Sequence, residues 1–455
     1  MEESSDACPK QLFFVLALLL STLLILQLES SADPGDVMFM IPNPNAGVVD
    51  NFGDSLDAAG DNILISAQNI TEGTLTQTGI AYLFSGENGE LLNTFRHPHP
   101  RLGFESYGRA VAGAGNRLAI ASNPGGGTIQ DPAEVFFYNG TGAPFGQTDR
   151  IASPNDPVFD FFGKSLAGRP GELLVGAPNF APAEATGGHA HLFTTAKGPP
   201  AQTFDNPVPD EIDGFGEEVA FVGNKVAIGA PFSDRNETNL SGAVCIFNAG
   251  DGTFLRTLDN PRPGRNDRFG FTLASLGDDL LLVGVPFESF LTANPQRPNF
   301  GEVYLFDCTT GEVVDNNTQT DAAIANPVPD NNSLFGVSLV GYGNLGVAAI
   351  GAPGADGGNG AVYFVNVDPS HDDFGLMVKK IPNPNPPIGG TFGNVMARFG
   401  DNLIVNGGLS NVVYVLEGPG PLEGGNGEAN PDFTGDGMVN ALDLVEFLEN
   451  FPSAK

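Results

Sequence analysis

The chain has 455 residues, with 61 glycines, 36 prolines and a formal net charge of −34. This acidity argues against binding to nucleic acid or to anionic membranes, because like charges repel, and it predicts a soluble surface that attracts cations. Glycine and proline recur at regular turns, which favours many hairpins over disorder. The length suits one large domain with a small appendage.

The first predicted element is an apolar segment near the N-terminus. Residues 11–28 carry no charge, and the small residues Ser30, Ser31 and Ala32 follow, as before a signal-peptidase cut. The run is also close to the minimum for a membrane span, and acidic residues precede it. Residues 1–32 are therefore a cleaved signal peptide or a retained membrane anchor. Both alternatives predict a secreted or cell-surface protein that contacts a membrane only through this segment, if it is uncleaved.

A short predicted strand, residues 37–41, precedes a unit that recurs along almost the whole chain. Each of the seven copies opens with an aromatic residue followed by glycine, and the copies are 53 to 66 residues apart. The pairs are Phe52-Gly53, Tyr107-Gly108, Phe162-Gly163, Phe215-Gly216, Phe269-Gly270, Phe335-Gly336 and Phe392-Gly393. A fixed period of this length is typical of a repeat architecture.

Two further anchors follow each aromatic-Gly pair in constant order. The second is a Gly-Ala-Pro-like tripeptide, which begins at Gly176, Gly229, Gly284 and Gly351 and is degenerate at Ser66, Ala121 and Asn406. The third is an alternating strand at residues 80–84, 133–138, 189–193, 243–247, 302–306, 361–365 and 412–416. Turn residues divide each unit into four short strands, for example 219–222, 226–229, 243–247 and 254–258.

Seven four-stranded units predict an all-β fold, a seven-bladed β-propeller, because radial closure leaves only short strand edges. The seventh copy ends at Leu416 without a fourth strand, whereas residues 37–41 form a strand that belongs to no unit. We therefore expect the N-terminal strand to complete the last blade and to close a ring spanning residues 33–416.

The aromatic-Gly and Gly-Ala-Pro anchors of residues 37–416 resemble the FG-GAP repeat of integrin α-subunit propellers and related extracellular proteins. The resemblance implies a β-propeller that acts in cell adhesion. Many members carry an Asp-rich calcium loop between the first two strands of a blade. Here the corresponding turns are too short for such a loop, at residues 58–62, 168–172, 222–225, 276–279 and 398–402. No calcium site is therefore predicted in the propeller.

The loops between strands 2 and 3 and between strands 4 and 1 lie on one side of the ring, which we call the 2–3/4–1 face. The 2–3 loops are long and differ between blades, and the 4–1 loops carry Asn-Pro turns and extra acids. Because variable loops on a rigid scaffold usually carry binding residues, this face is predicted to bind a protein or extracellular-matrix partner. Aromatic residues and arginine dominate binding hot spots, so the candidate anchors are Phe180, Phe232, Phe287, Phe290, Arg235 and Arg297. The alternative is that these phenylalanines pack against their own loops.

Residue patterns that support catalysis are sparse. His189 and His191 alternate on one strand and share a face, which suits a metal pair, but the sequence identifies no third ligand. The sequence has no phosphate-binding loop, nucleophile motif or HExxH. No catalytic residue is therefore predicted, and the chain is not expected to be an enzyme. Cys245 and Cys308 are expected to be buried as small hydrophobic residues and not to form a disulfide.

The C-terminal residues contain a predicted linker, 417–431, and a predicted calcium loop. Counted from Asp432, side-chain oxygens stand at positions 1, 3, 5, 9 and 12, glycine stands at 6 and a backbone carbonyl is offered at 7. This is the EF-hand pattern. The predicted calcium ligands are Asp432, Thr434, Asp436, Met438, Asn440 and Asp443. A helix with an apolar stripe is predicted to follow, over residues 441–450.

The loop and its single exit helix, residues 432–455, resemble one dockerin repeat of bacterial extracellular proteins. The resemblance implies calcium binding and a cohesin-like partner for the tail. The sequence as a whole predicts an extracellular binding or adhesion propeller with a calcium-binding C-terminal docking or tethering module. Two alternatives stay open, namely an extracellular hydrolase or lyase that acts on polysaccharide through acidic loop residues, and a purely structural envelope component.

Overall fold

The computed structural model describes residues 33–422 apart from residues 46–49, 71–77, 101–105, 124–131, 141, 155–159, 179–186, 195–197, 208–212, 235–239, 278, 289–298, 316–322, 387–389 and 409–410. The predicted signal or anchor, residues 1–32, and the predicted calcium module, residues 432–455, lie outside this range. Among the described residues, no helix is long and apolar enough to cross a membrane.

The described part of the chain forms seven four-stranded antiparallel sheets, the blades of a β-propeller. The chain enters through β1 (Val37–Pro42), which belongs to the last blade. Blade 1 contains β2 (Phe52–Ala59), β3 (Asn62–Ala67), β4 (Ile80–Ser85) and β5 (Leu91–Arg96). Blade 2 contains β6 (Val111–Ala114), β7 (Arg117–Ser122), β8 (Glu134–Asn139) and β9 (Gln147–Ala152). Blade 3 contains β10 (Leu166–Arg169), β11 (Glu172–Ala177), β12 (His189–Phe193) and β13 (Gln202–Asp205).

The remaining blades repeat this order. Blade 4 contains β14 (Glu218–Val222), β15 (Lys225–Ala230), β16 (Ala243–Asn248) and β17 (Phe254–Asp259). Blade 5 contains β18 (Thr272–Ser275), β19 (Leu280–Val285), β20 (Glu302–Asp307) and β21 (Ile324–Ala325). Blade 6 contains β22 (Leu339–Tyr342), β23 (Val347–Ala352), the helical turn α1 (Ala355–Gly358), β24 (Ala361–Asn366) and β25 (Met377–Pro382). Blade 7 contains β26 (Met396–Phe399), β27 (Asn402–Asn406) and β28 (Val412–Leu416), completed by β1.

The predicted closure of the ring is confirmed. Strand β1 pairs antiparallel with β28, so that Ile41 lies opposite Val413. Ile41 is fully buried, and the Gly35 N–H extends the pairing by donating to the Glu417 carbonyl at 2.8 Å. The first residues of the predicted linker continue onto the ring, since Leu422 packs against the core between blades 6 and 7.

The repeated glycines are explained by the contact between neighbouring blades. Within blade 4, the Gly216 N–H donates to the carbonyl of Gly229 at 2.9 Å. The carbonyl of Gly270, the corresponding glycine of blade 5, lies where a Cβ on Gly229 would stand. The Gly-Ala-Pro glycine is therefore needed because the next blade leaves no room for a side chain.

The hydrophobic core lies between adjacent blades. The cluster that joins the two ends of the ring contains Phe52, Ile65 and Tyr82 of blade 1 together with Ile404 and Val413 of blade 7. Phe52 meets Tyr82 edge to face, with ring centroids 6.0 Å apart. As predicted from the sequence, both cysteines of the ring, Cys245 and Cys308, are buried and form no disulfide.

Candidate functional site

The acids of the 4–1 loops mainly build the frame of the 2–3/4–1 face. The Asn43 side chain donates to the Asp50 carboxylate at 2.7 Å, and that carboxylate accepts the Phe52 N–H at 3.2 Å. The same seven-residue spacing recurs in the side-chain contacts Asn206–Asp213, Asn260–Asp267 and Asn326–Ser333. The four acids at this position are almost fully buried, namely Asp50, Asp160, Asp213 and Asp267. These carboxylates hold the aromatic-Gly pair in place and do not offer a binding surface.

The residues on either side of each aromatic-Gly pair differ between blades. Those before the pair have positive φ in six blades, at Asn51, Ser106, Phe161, Gly214, Arg268 and Leu334. Those after it are Asp54, Arg109, Lys164, Glu217, Phe271, Val337 and Asn394. Side chains other than glycine and asparagine rarely adopt this backbone conformation, at a cost of about 1–2 kcal/mol each. The buried frame therefore forces varied side chains into fixed positions.

These variable residues surround one end of a central channel, which we call the channel mouth. The first strand of every blade lines the channel, which has a volume of about 630 Å³. Asp54, Arg109 and Lys164 are among the lining residues. Asn51 donates to Asp54 at 2.9 Å, and the Arg109 guanidinium lies 5.8 Å from the Phe161 ring centre. Variable positions thus meet at the mouth both within one loop, as Asn51 and Asp54 do, and between neighbouring loops, as Arg109 and Phe161 do.

The mouth is charged on the side of blades 1 to 4. The Lys164 ammonium donates to the Glu217 carboxylate of the next blade. Burial lowers the pKa of Arg109, and the nearby negative charge of Glu217 opposes that effect. On blade 1, burial raises the pKa of Asp57 to about 6, although its carboxylate accepts the Gly113 N–H at 2.8 Å.

Glu218 is the residue of the channel wall that departs most from its counterparts. Its pKa is raised to about 8, mainly by burial. The nearby Lys164 charge acts to lower this pKa, and the Glu217 charge acts to raise it. In three other blades the corresponding hydroxyl donates to the glycine carbonyl of the following blade, in the pairs Ser165–Gly216 (3.0 Å), Thr272–Gly336 (2.6 Å) and Ser338–Gly393 (2.7 Å). A glutamate can act as such a donor only when it is protonated.

The mouth is aromatic on the side of blades 4 and 5. The Arg268 guanidinium lies over the rings of Phe232 and Phe287, 5.2 and 4.6 Å from their centres. Phe271 meets Phe287 edge to face at 5.4 Å. We call Arg268 and these three phenylalanines the Arg268 platform.

The platform contains two of the anchors predicted from the sequence, Phe232 and Phe287, and two residues that the sequence did not single out. Arg268 and Phe271 flank the pair Phe269-Gly270, and comparison of these flanking positions between repeats is the signal that would have found them. The other predicted anchors lie outside the described residues, namely Phe180, Phe290, Arg235 and Arg297.

His189 and His191 share a face, as the alternation predicts, and their rings stack with centroids 6.0 Å apart. The Nδ1 atom of His189 lies 2.9 Å from the Asp205 carboxylate, and that of His191 lies 3.0 Å from the Thr203 hydroxyl. His191 is fully buried, which lowers its pKa to about 3. Over the described ranges, no three His, Cys, Asp or Glu side chains gather in a way that could hold a metal ion.

A group of carboxyls does converge beneath the loop that leads into blade 5. Asp267 is hydrogen-bonded to Glu288, and burial raises its pKa. Glu302 accepts the Tyr304 hydroxyl at 3.0 Å and is paired with Arg262. Asp267, Glu288 and Glu302 are each at most 2% exposed, so a substrate could not reach them in this conformation.

No protein-family model and no curated protein matches the chain. The likenesses to FG-GAP and dockerin repeats therefore depend on the residues themselves, and arguments about function depend on the geometry of the mouth.

Proposed function

We propose that the protein is an extracellular or cell-surface binding propeller that docks a protein or extracellular-matrix partner at the channel mouth. The observation that carries this proposal is the contrast between repeated and variable positions. Residues such as Asp50, Phe52 and Gly53 recur because the frame needs them. Their neighbours Asn51 and Asp54 are replaced by a different pair of residues in each of the other six blades. Differences that packing does not require are typical of a recognition surface.

The distribution of the variable residues also supports a specific partner. At the position after the aromatic-Gly pair, blades 1 to 4 carry charged side chains, whereas blades 5 and 6 carry Phe271 and Val337. A pore that only passes solvent or ions needs no such asymmetry. A surface that is charged on one side and apolar on the other fixes the orientation of a docked partner. We prefer binding to hydrolysis of polysaccharide because the carboxyls that converge, at Asp267, Glu288 and Glu302, are covered.

The proposed function includes the two segments outside the described residues. Residues 1–32 would direct the chain out of the cytoplasm, and residues 432–443 would bind calcium and order a docking or tethering tail, with a cohesin-like domain as a candidate partner. Calorimetric titration of residues 33–455 with calcium should show one site, and substitution of both Asp432 and Asp436 by alanine should abolish it. Unchanged heats in that variant would exclude the loop as the site.

The binding face can be tested by blocking it with a bulky group. The exposed residue Thr391 lies at the mouth, directly before Phe392, and the exposed residue Gln147 begins β9 on the outer rim. Each would be replaced by cysteine in residues 33–455 and coupled to a 5-kDa polyethylene glycol; the native Cys245 and Cys308 are buried. Partners would then be captured from the host's envelope extract, with calcium and with chelator.

We expect the modified Thr391→Cys protein to lose a partner that the modified Gln147→Cys protein retains. Capture that survives modification at Thr391 but needs calcium and the residues beyond 422 would refute the proposed face and assign adhesion to the tail. Capture lost equally in both modified proteins would also count against the mouth.

A further inference from the structure

Arg268 is held rigidly at the aromatic side of the mouth. Its backbone has φ +59°, and its N–H donates to the Leu240 carbonyl at 3.1 Å. The guanidinium lies over the rings of both Phe232 and Phe287. Contact with two rings reduces the side-chain freedom that a long cation normally loses on binding, and it uses the face of the group and not its hydrogen-bonding edge.

Among the described residues, this edge is little used. The chain has 54 acidic and 20 basic residues, and other basic side chains pair with carboxylates, among them Arg150, Lys164, Arg169, Lys225, Arg262, Lys380 and Arg398. Arg268 pairs with no carboxylate of the described residues. Its one side-chain hydrogen bond there is from Nε to the Asn266 side chain, at a long 3.4 Å.

Three other arginines lie over aromatic rings; Arg109, over Phe161, is described above, and the other two provide an internal comparison. Arg169 lies 4.1 Å from the centre of Phe221, and Arg398 lies 4.8 Å from that of Tyr342. Both bond a carboxylate and at least one backbone carbonyl. Arg169 is bonded to Glu172 and to the Gly223 carbonyl at 2.6 Å, and Arg398 pairs with Asp401 and donates to two backbone carbonyls. These two therefore have structural roles, and Arg268 is stacked in the same way without such partners.

A carboxylate is the group that fits this edge. The planar fork of a guanidinium binds both oxygens of one carboxylate, and the bond strengthens where aromatic rings exclude water. The net charge of −34 disfavours a polyanion such as an acidic polysaccharide, because its repeated charges would be repelled by the rest of the surface. A single carboxylate on an otherwise uncharged segment avoids that repulsion. The partly exposed rings of Phe232, Phe271 and Phe287 suit an apolar neighbour of that carboxylate.

We propose that the Arg268 platform binds an Asp or Glu side chain of a partner protein, with an adjacent apolar residue packed on its phenylalanines. The proposal rests on the proposed function and names the chemistry of the partner at one side of the mouth. It predicts that the partner presents an isolated acid beside an apolar residue and not an acidic tract.

The test uses a random twelve-residue peptide library displayed on phage, panned on residues 33–455. Peptides would be retained if modification of Thr391→Cys at the mouth blocks their binding. We expect most of these peptides to carry one Asp or Glu next to an apolar residue. A synthetic copy should lose about 10- to 100-fold in affinity when its acid is changed to the amide, the range expected for a charged hydrogen-bonded pair.

Variants of the protein should give the matching result. Arg268→Gln should lower the affinity for the acidic peptide as much as the acid-to-amide change does. The two changes together should lower the affinity little more than either change alone. Arg268→Lys should restore only part of the affinity, because an ammonium cannot make the forked contact. The control is Arg150→Gln, whose side chain is 53% exposed on the outer rim and pairs with Glu134; it should leave the affinity unchanged.

The outcomes separate the two proposals. Mouth-binding peptides that lack acids, or whose affinity is indifferent to the acid-to-amide change, would overturn the carboxylate site while leaving the binding face intact. Both the carboxylate site and the binding face would be overturned by two results together. These are that no mouth-binding peptide is recovered, and that the modified Thr391→Cys protein still captures its partners from the envelope extract. Because the amide change is made in the peptide, a folding defect of an Arg268 variant cannot produce the expected result.

Discussion

Replacing Glu218 by glutamine should make the stability of the propeller less sensitive to pH. Burial at the channel wall raises the pKa of Glu218 from 4.5 to about 8, and the neighbouring Glu217 charge adds to this. The corresponding residues Ser165, Thr272 and Ser338 donate a hydroxyl to the next blade. Protonated Glu218 is compatible with that environment, whereas its ionised form places a charge between two blades that the nearby Lys164 offsets only in part.

The sign follows from the two pKa values. Below pH 4.5 the carboxyl is protonated in both the folded and the unfolded chain, so the full stability is present. Between pH 4.5 and about 8 only the folded chain keeps the proton, and the free energy of unfolding falls as pH rises. At about 1.4 kcal/mol per pH unit, the loss is at most about 5 kcal/mol. Because the side chain is partly exposed to the channel, solvent screening reduces the loss, and we expect about 2 kcal/mol.

The assay is denaturant unfolding of residues 33–455 at pH 5, 7 and 9. From pH 5 to pH 9, the free energy of unfolding of Glu218→Gln should rise by about 2 kcal/mol relative to that of wild type. Glu218→Ser should give the same trend and a higher stability at pH 9, because its hydroxyl can reach the Gly270 carbonyl. The control is Glu90→Gln, at an exposed residue. A wild type and a Glu218→Gln variant with parallel pH profiles would refute the reasoning.

Three further changes test the ring itself, by the same unfolding measurement. Ile41→Ala should lower the free energy of unfolding by about 2–5 kcal/mol because Ile41 is fully buried in the closing strand. Met40→Ala, at a residue 58% exposed, should lower it little. Equal losses in the two variants would contradict the closure. Gly229→Ala should cost about 1–3 kcal/mol by separating two blades, and Gly146→Ala, with open space around it, should not. His191→Phe should abolish the loss of stability that His191 is expected to cause in wild type as the pH falls from 6.5 to about 3, since the buried imidazole stays neutral over that range while the unfolded chain takes up a proton.

The histidine pair illustrates how the repeat separates structural from functional residues. The third-strand position of His191 is occupied by tyrosine in four blades, at Tyr82, Tyr304, Tyr363 and Tyr414. Each of these tyrosines packs against the aromatic residue of its own aromatic-Gly pair, as His191 does with Phe162 at 5.9 Å. His191 is therefore a core residue in an aromatic position, and its stacking on His189 follows from strand alternation.

The fold could be predicted because its determinants are local and repeated. The aromatic-Gly pair and the alternating strand recur in all seven copies and the Gly-Ala-Pro-like tripeptide in four, so an error in any one copy would have been corrected by the others. The strands of blade 4, for example, lie within one residue of the predicted ranges. Closure by β1 could also be predicted, because a missing fourth strand and an unassigned strand appear at opposite ends of the ring.

The candidate site could be predicted only in part. The sequence by itself determined the number of blades, the partner of β1 and the face that carries variable loops, because these follow from period and strand direction. It did not reveal that Asp50 and Asp213 are buried supports, or that Arg268 lies over Phe232 and Phe287. The contacts of Arg268 join residues of different loops and blades, and no spacing within one repeat encodes them. Only the tertiary structure decided which charges are covered by the frame and which, such as Arg268, lie at the mouth without a partner carboxylate among the described residues, since burial and ion pairing depend on what neighbouring blades place around each side chain.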